Sequence, residues 1–229
     1  MEYCDIHSHL VYGVDDGPAT LEDAVRGLQA LRDLGFTRAC ATPHRRTGMF
    51  TDRRDVIPGR LGELKAAAAA EGIVVDLSLG AEYYFGNDFT GDFEAGAVTR
   101  LADQRKYVLI EFHTFSLQEF NKNLFFKMSL KGLVPVIAHP ERNDLSSHIA
   151  REIFDYLVDN GALLQCDLLS LVEFGWGRHA MDRALSFIDN GRVAAFATDL
   201  HCTPPEIEML PRAIEALRVR VGAERADLL

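Results

Sequence analysis

The segment YCDIHSHLVYGVDDGPATLEDAVRGLQALRDLGFTRACATPH (residues 3–44) contains a strand–helix–strand unit and indicates the fold class. A short apolar stretch, residues 3–6, predicts the first strand. Thr20 stands where a helix N-cap is expected, apolar side chains then recur at helical spacing, and Gly35 ends the helix. Residues 38–42 predict the second strand. Strands joined by a helix in this way are typical of parallel pairing.

The same alternation continues through the rest of the chain. Apolar runs alternate with longer amphipathic stretches, and we count seven strand–helix units. This pattern predicts an α/β fold with a mainly parallel sheet, in a single domain covering residues 1–229. The further predicted strands are residues 73–79, 107–112, 134–138, 162–166 and 193–197, and the further predicted helices are residues 55–71, 117–131, 149–160, 178–190 and 206–219.

One segment, residues 83–98, interrupts this alternation. It is rich in glycine and aromatic residues and predicts a long loop after the third strand. Such a loop is either a functional lid or a surface excursion with one short helix, and the sequence leaves both interpretations open.

Composition restricts the possible functions. The formal net charge of −10 argues against extended nucleic-acid binding, which requires a basic surface. No apolar run is long enough to cross a membrane and the N-terminus lacks the layout of a signal peptide, so we expect a cytoplasmic protein without membrane insertion. The four cysteines are scattered without paired spacing, which fits a reducing compartment. The sequence does not predict the oligomeric state.

Ionisable side chains stand where the predicted strands end. Six of the seven predicted strands end in a potential metal ligand, and five of the eight histidines occupy these ends. Because the carboxyl ends of parallel strands converge on one face of an α/β barrel, residues remote in sequence are expected to meet in one pocket. The segments concerned are IHSH (residues 6–9), TPH (42–44), GAE (80–82), IEF (110–112), AHPER (138–142) and ATDLH (197–201).

The pair His7 and His9 is the strongest local metal signal. In an extended strand, side chains two residues apart point to the same side, so both imidazoles can bind one ion. A single histidine or glutamate at a strand end is more often packed or solvated, but recurrence over six strands favours metal binding. Imidazole and carboxylate ligands suit Mn²⁺, Fe, Zn²⁺ or Mg²⁺, and their number predicts two or three divalent ions. His148 and His179 are expected on solvated helix surfaces, and His113 stays undecided.

Together these motifs resemble the PHP (polymerase and histidinol phosphatase) superfamily, and within it the bacterial metal-dependent protein-tyrosine phosphatases of capsule and exopolysaccharide systems. The resemblance covers nearly the whole chain and implies a distorted (β/α)7 TIM-like barrel with a trinuclear centre, usually of manganese or iron. Two departures are visible: the last motif reads TDLH where SDAH is usual, and Asp167 or Leu168 stands where an asparagine is usual. The segments that carry the resemblance are DIHSHLVYGVDDG (residues 5–17), ATPHRRTGMF (41–50), LGAEYY (79–84), VLIEF (108–112), VIAHPER (136–142) and ATDLH (197–201).

The resemblance also implies a ligand set. In related proteins the second aspartate of the DDG segment faces the metals, so Asp16 is expected to be a ligand and Asp15 a structural turn residue. The implied metal ligands are His7, His9, Asp16, His44, Glu82, Glu111, His139, Asp199 and His201.

The activity implied is phosphomonoester hydrolysis through a metal-bound hydroxide. The implied substrate is the phosphotyrosine tail of an autophosphorylating bacterial tyrosine kinase of exopolysaccharide synthesis. Arg142 is expected to bind the phosphate, and Arg45 and Arg46 are expected to be further substrate contacts or solvated loop residues. Either Asp199 or His201 is expected to protonate the leaving phenolate, and the sequence does not choose between them.

Two other functions stay open from the sequence. One is a small-molecule phosphatase of the histidinol-phosphatase type, and the other is a metal-stabilised protein that binds the kinase without hydrolysis. Aromatic residues also crowd the same strand ends; some could receive a tyrosine ring, but most are expected to pack. They are Phe50, Tyr83, Tyr84, Phe85, Phe112, Phe115, Phe174 and Trp176.

Overall fold

A computed structural model of the chain describes residues 3–50, 53–102, 106–112, 121–143 and 148–226. These residues form nine short strands and eight α-helices, and every strand pair is parallel. The predicted α/β class is therefore confirmed. The strands are β1 (Tyr3–Ser8), β2 (Phe36–Ala41), β3 (His44–Arg45), β4 (Asp76–Leu79), β5 (Glu82–Tyr84), β6 (Tyr107–Glu111), β7 (Val134–Ala138), β8 (Leu163–Asp167) and β9 (Val193–Ala197). The helices are α1 (Leu21–Asp33), α2 (Ile57–Ala70), α3 (Asn87–Ala95), α4 (Lys122–Leu130), α5 (His148–Asp159), α6 (Gly177–Asp189), α7 (Pro204–Val221) and α8 (Ala223–Ala226).

The strands form two sheets, with the orders β1-β2-β4 and β3-β5-β6-β7-β8-β9. The short strands β3 and β5 follow the second and third predicted strands directly. The ladder is interrupted before β3 because Pro43 has no amide hydrogen to donate. Hydrogen bonding nevertheless continues across the interruption, since the Gly80 amide donates to the Ala41 carbonyl at 2.8 Å and the Glu82 amide donates to the Pro43 carbonyl at 3.2 Å.

The first and last strands also approach each other at their carboxyl ends. The His9 amide donates to the Leu200 carbonyl, and the Asp199 amide donates to the His7 carbonyl, both at 2.9 Å. These bonds bring two predicted ligand segments side by side. The closure of a barrel and its count of seven units stay predictions.

Helix α1 shows why the sequence folds locally as predicted. The Thr20 side chain accepts a hydrogen bond from the Asp23 amide at 3.2 Å, which caps the helix. Val25, Leu28 and Leu31 lie on its buried face. Burial of each such side chain contributes roughly 1.5–3 kcal/mol.

The prediction of a long loop over residues 83–98 is wrong. This segment contains the end of β5 and the nine-residue helix α3, so the interpretation as an excursion with one short helix describes it. Phe89 and Phe93 stand four residues apart, lie on the same face of the helix and are both buried. Gly96 ends the helix in the left-handed conformation, with φ of 69°.

Apolar packing supports both sheets. A large core is accompanied by a smaller cluster that includes Leu109 and Val136. All four cysteines are free thiols. None of the described helices is long and apolar enough to cross a membrane.

Candidate metal centre

The carboxyl ends of the strands bring all nine predicted ligand residues together. Seven of them line one cleft with a volume of about 320 Å³. His7 and His9 are fully buried and contact two residues of that cleft, Glu82 and Asp199. The seven lining residues are Asp16, His44, Glu82, Glu111, His139, Asp199 and His201.

The ligand atoms fall into three overlapping groups, and within each group they lie within 4.8 Å of one another. His9, His44 and Glu82 each belong to two groups, so the groups adjoin. His139 lies outside them, but its Nε2 is 2.9 Å from Glu82 Oε1. The groups are His7, His9, Glu82 and Asp199; His9, Asp16, His44 and His201; and His44, Glu82 and Glu111.

Buried carboxylate oxygens at the centre of these groups accept no hydrogen bond from the residues that the structure describes. Glu82 Oε2 lies 3.0 Å from His44 Nδ1 and 3.3 Å from His7 Nε2, yet neither contact has hydrogen-bond geometry. Asp199 Oδ1 lies 3.1 Å from the Nε2 atoms of both His7 and His9, again without a hydrogen bond. Buried polar atoms are normally satisfied, so these orphaned oxygens fit a centre that binds cations.

Neighbouring residues orient the histidine rings so that Nε2 is available. The Gln165 side chain donates to the Cys166 carbonyl, which leaves its Oε1, 2.9 Å from His7 Nδ1, as an acceptor. His7 Nδ1 therefore carries the proton. His201 Nδ1 likewise donates to the Asp199 carbonyl at 2.8 Å. A histidine that donates from one ring nitrogen presents the other as a metal ligand.

The two aspartates of the DDG segment occupy different positions. Asp15 is oriented away from solvent: its Oδ2 accepts from His9 Nδ1 at 2.9 Å and from the His44 amide at 3.0 Å. Asp16 is half-exposed, and its Oδ1 lies 3.4 Å from the Nε2 atoms of both His44 and His201. This arrangement supports Asp16 as the ligand and Asp15 as the residue that orients His9.

Burial and charge act in opposite directions on these ionisable groups. Burial favours neutral histidine, but the Asp199 and Glu82 carboxylates raise the pKa of His7 well above its ordinary value. Burial would raise the pKa of Glu82, but the positive charges of His7 and His44 hold it well below its usual range. Likewise, burial opposes ionisation of Asp16, whereas His201 and His44 lower its pKa to about 2. The carboxylates thus require positive charge among them, which protons or divalent cations can supply.

Two of the ligand positions have an uncommon backbone. His139 and Asp199 have positive φ values of 29° and 47°. Such conformations are costly for residues other than glycine, and they persist where the surrounding structure requires them, often at functional sites. Here they lie at the ends of β7 and β9, directly before the side chains turn into the cleft.

Arg142 lines the same cleft and is held by two carboxylates. Its Nη2 lies 2.5 Å from Asp167 Oδ2 and 2.6 Å from Asp199 Oδ2. Burial alone would lower the pKa of Arg142, but these two aspartates raise it, so the guanidinium stays charged. The ring of Trp176 lies over the guanidinium, 4.3 Å from its central carbon.

Arg45 and Arg46 occupy different places. Arg46 lines the cleft and stacks on the Tyr84 ring at 4.2 Å. Arg45 is half-buried and lines a second, neighbouring cavity instead. The cleft therefore includes Arg46 but not Arg45 among its lining residues.

Most of the predicted aromatic cluster packs within the protein. Tyr83, Phe85 and Phe112 are buried, and Phe50 stacks on the His44 ring with centroids 4.9 Å apart. Trp176 is the exception among the lining residues, with 54% of its surface exposed. The remaining members are Tyr84 and Phe174, which are half-buried, and Phe115, which lies outside the described residues.

His179 is exposed, as expected of a solvated helix residue. His113 and the side chain of His148 lie outside the described residues.

Sequence reasoning assigned no role to the polar residues of β8, although it noted Asp167 as a departure from the related proteins. Gln165 and Asp167 are both buried, and they hold His7 and Arg142 respectively. A signal was present, because QCD ends an otherwise apolar strand, as the ligands do at the other strands. Their partners, however, are remote in sequence, and only the fold reveals them.

Comparison with known proteins places the chain among capsule-synthesis proteins. It matches the family model described as capsular polysaccharide synthesis, CpsB/CapC, over residues 3–229. It is 30% identical over 231 residues to tyrosine-protein phosphatase CpsB of Streptococcus pneumoniae, covering 98% of this chain and 93% of that protein. It is 27% identical over 231 residues to tyrosine-protein phosphatase YwqE of Bacillus subtilis (strain 168), covering 98% and 87%.

Solved structures agree with this relationship. The chain aligns with a structure from the study of YwqE from Bacillus subtilis and CpsB from Streptococcus pneumoniae, described as unique metal-dependent tyrosine phosphatases, with a TM-score of 0.80. That alignment has 27% identity and covers 98% of this chain and 90% of the other. Histidinol phosphate phosphatase from Lactococcus lactis aligns with a TM-score of 0.50 at 13% identity over 93% of this chain and 92% of the other, which shows a similar fold alone. The chain belongs to the capsular polysaccharide synthesis family CpsB/CapC.

Proposed function

We propose that this protein is a metal-dependent protein-tyrosine phosphatase. The observation that carries the proposal is the convergence of histidines and carboxylates into three adjoining groups, with orphaned carboxylate oxygens at their centre. The names of its relatives support phosphotyrosine as the substrate class. The family model supports a role in capsule or exopolysaccharide synthesis. We further propose an autophosphorylating tyrosine kinase as the partner and the cytoplasm as the location.

We assign two or three divalent ions to this centre, manganese being the first candidate and iron, zinc and magnesium the others. The nine predicted residues would hold them, with Glu82 shared between ions because its two oxygens face different histidines. When bound, the ions would neutralise phosphate charge and activate a water molecule. We also propose that the two sheets together form one distorted (β/α)7 barrel in a single domain, residues 1–229.

Arg142 is suited to bind the phosphate. Asp167 and Asp199 hold its Nη2 in place, and its buried Nε has no hydrogen-bond partner among the described residues. A guanidinium fixed in this way can donate to a phosphate oxygen without losing much side-chain entropy. Arg46, which also lines the cleft, is a second candidate for the same substrate.

Apolar side chains at the rim suit an aromatic leaving group. Trp176 is 54% exposed and Met49 is 60% exposed, and both line the cleft. Exposed apolar groups beside a charged site are typical of a binding surface. We assign the tyrosine ring of the substrate to the space between them.

A phenolate needs only weak acid assistance on leaving. His201 and Asp199 stay the two candidates for that proton transfer, and each could act only while it is not bound to an ion, because both belong to the proposed ligand set. His201 is the more exposed of the two.

Phosphate release tests the proposal. Chelator-treated protein should be inactive, and manganese should restore turnover of a phosphotyrosine peptide well above turnover of histidinol phosphate. His44→Ala should lower kcat/KM by at least about a hundredfold, whereas His179→Ala, on an exposed helix surface, should not. Elemental analysis of the restored protein gives the number of ions. Preference for histidinol phosphate would support the small-molecule alternative, and metal binding without turnover would support a docking protein.

A further inference from the structure

A second cavity adjoins the metal cleft. It has a volume of about 180 Å³ and shares His44 and Arg46 with the cleft. Four arginines line it, namely Arg45, Arg46, Arg53 and Arg54, and we call it the arginine cavity. Arg53 and Arg54 belong to no motif that the sequence analysis singled out.

The arginine cavity is basic in an otherwise acidic protein. The chain carries a net charge of −10, yet four of its 24 lysines and arginines fall within the ten residues 45–54. Two aspartates also line the cavity, and both are engaged. Asp92 accepts from Arg54 Nη1 at 3.0 Å, and Asp88 accepts from the Thr47 amide at 2.6 Å. Among the described lining residues, four guanidinium groups against two carboxylates give a formal charge of +2.

Two of these guanidinium groups are held in place before any ligand arrives. Arg46 stacks on the Tyr84 ring at 4.2 Å, and Arg54 is bonded to Asp92. A planar guanidinium with restricted motion suits carboxylate and phosphate groups, because it can donate two parallel hydrogen bonds. Arg53 is exposed and adds positive charge to the lining of the cavity.

We propose that the arginine cavity is a second anion subsite, which binds an acidic group of the same substrate next to the phosphate being removed. The proposal rests on the proposed phosphatase function. Because His44 and Arg46 line both spaces, a peptide with its phosphotyrosine in the cleft has neighbouring residues beside the cavity, and each extended residue spans about 3.3 Å. The anion is a carboxylate side chain or a second phosphate, which present the same chemistry to arginine.

Three peptides of equal length test the subsite: a phosphotyrosine peptide with neutral neighbours, the same peptide with two glutamates, and the same peptide with a second phosphotyrosine. The measured quantity is the ratio of kcat/KM for each anionic peptide to kcat/KM for the neutral one, in manganese-restored protein. Arg53→Glu should lower this ratio by about three- to tenfold, and Arg53→Lys should largely retain it. Arg212→Glu, an exposed change of the same charge on α7, is the matched control. Raising the salt concentration should also lower the ratio in the unchanged protein.

The outcomes separate the possible explanations. If Arg53→Glu lowers the ratio for both anionic peptides, the cavity is a subsite for any anion. If Arg53→Glu lowers the ratio for the doubly phosphorylated peptide alone, the cavity is a phosphate subsite. An unchanged ratio in Arg53→Glu overturns the proposal, as does an equal decrease in Arg212→Glu, because the effect would then come from net charge. Absence of turnover with every peptide would instead contradict the phosphatase function itself.

Discussion

Replacing Gln165 by leucine should weaken metal binding without removing any ligand. Gln165 Oε1 accepts the Nδ1 proton of His7 at 2.9 Å, and both side chains are fully buried. Leucine has a similar size but no acceptor, so His7 would lose the partner that leaves its Nε2 available. Its Nδ1–H group would also become a buried donor without a partner.

The magnitude follows from the role of this hydrogen bond. Loss of a residue that orients a metal-binding histidine typically lowers metal affinity about 10- to 100-fold, which corresponds to about 1.4–2.7 kcal/mol. The unpaired Nδ1–H should also cost about 1–3 kcal/mol of folding stability in the metal-free protein. Calorimetric titration of chelator-treated protein with Mn²⁺ measures the first effect, and urea denaturation of the same protein measures the second.

Two variants serve as controls. Gln165→Glu keeps an acceptor oxygen for His7 and should retain metal affinity within a few fold, since carboxylates commonly orient metal-bound histidines. Gln29→Leu removes a side-chain amide on helix α1 that donates to Asp33, away from the cleft, and should leave affinity unchanged. Manganese affinity within twofold of the original in a well-folded Gln165→Leu protein would refute this account of His7.

Further predictions concern the rim, the phosphate clamp and pH. Trp176→Ala should lower kcat/KM for a phosphotyrosine peptide about two- to tenfold more than it lowers kcat/KM for an alkyl phosphate. Trp176→Phe should give a smaller difference between the two substrates. An equal loss for both substrates in Trp176→Ala would contradict ring binding. Because Trp176 is the single tryptophan of the chain, its fluorescence should also change when a non-hydrolysable phenylphosphonate binds. Arg142→Gln should reduce kcat/KM by at least about tenfold and destabilise the fold by about 3–5 kcal/mol, since Asp167 and Asp199 lose a buried countercharge; unchanged urea denaturation would exclude that pairing. Manganese affinity should rise with pH above 6.5. Carboxylates outweigh burial and raise the pKa of His7 in the metal-free protein, so protons compete with the ion below that pKa. Manganese affinities that do not change with pH would contradict this.

Local pattern accounts for what was predicted correctly. Helical spacing between Thr20 and Gly35 predicted α1, because an apolar stripe and a cap are properties of neighbouring residues. Parallel pairing followed from the alternation of strands and helices. The pocket of ligands at the strand ends followed in turn, since parallel strands bring their carboxyl ends to one face. The segment 83–98 was predicted wrongly because its glycines outweighed the spacing of Phe89 and Phe93, which only packing against the core converts into a helix.

Local pattern therefore accounts for most of the order of strands and helices, and for the residue types available for metal binding. How these residues are divided into groups, and which nitrogen each histidine presents, depend on contacts between remote segments. The orientation of His7 depends on Gln165, and the position of Arg142 depends on Asp167 and Trp176. These partners lie on other segments of the chain. The contact of His7 with Gln165 spans 158 residues, and no local periodicity encodes such a pair. It forms only because the fold brings the ends of β1 and β8 into contact with the same buried centre.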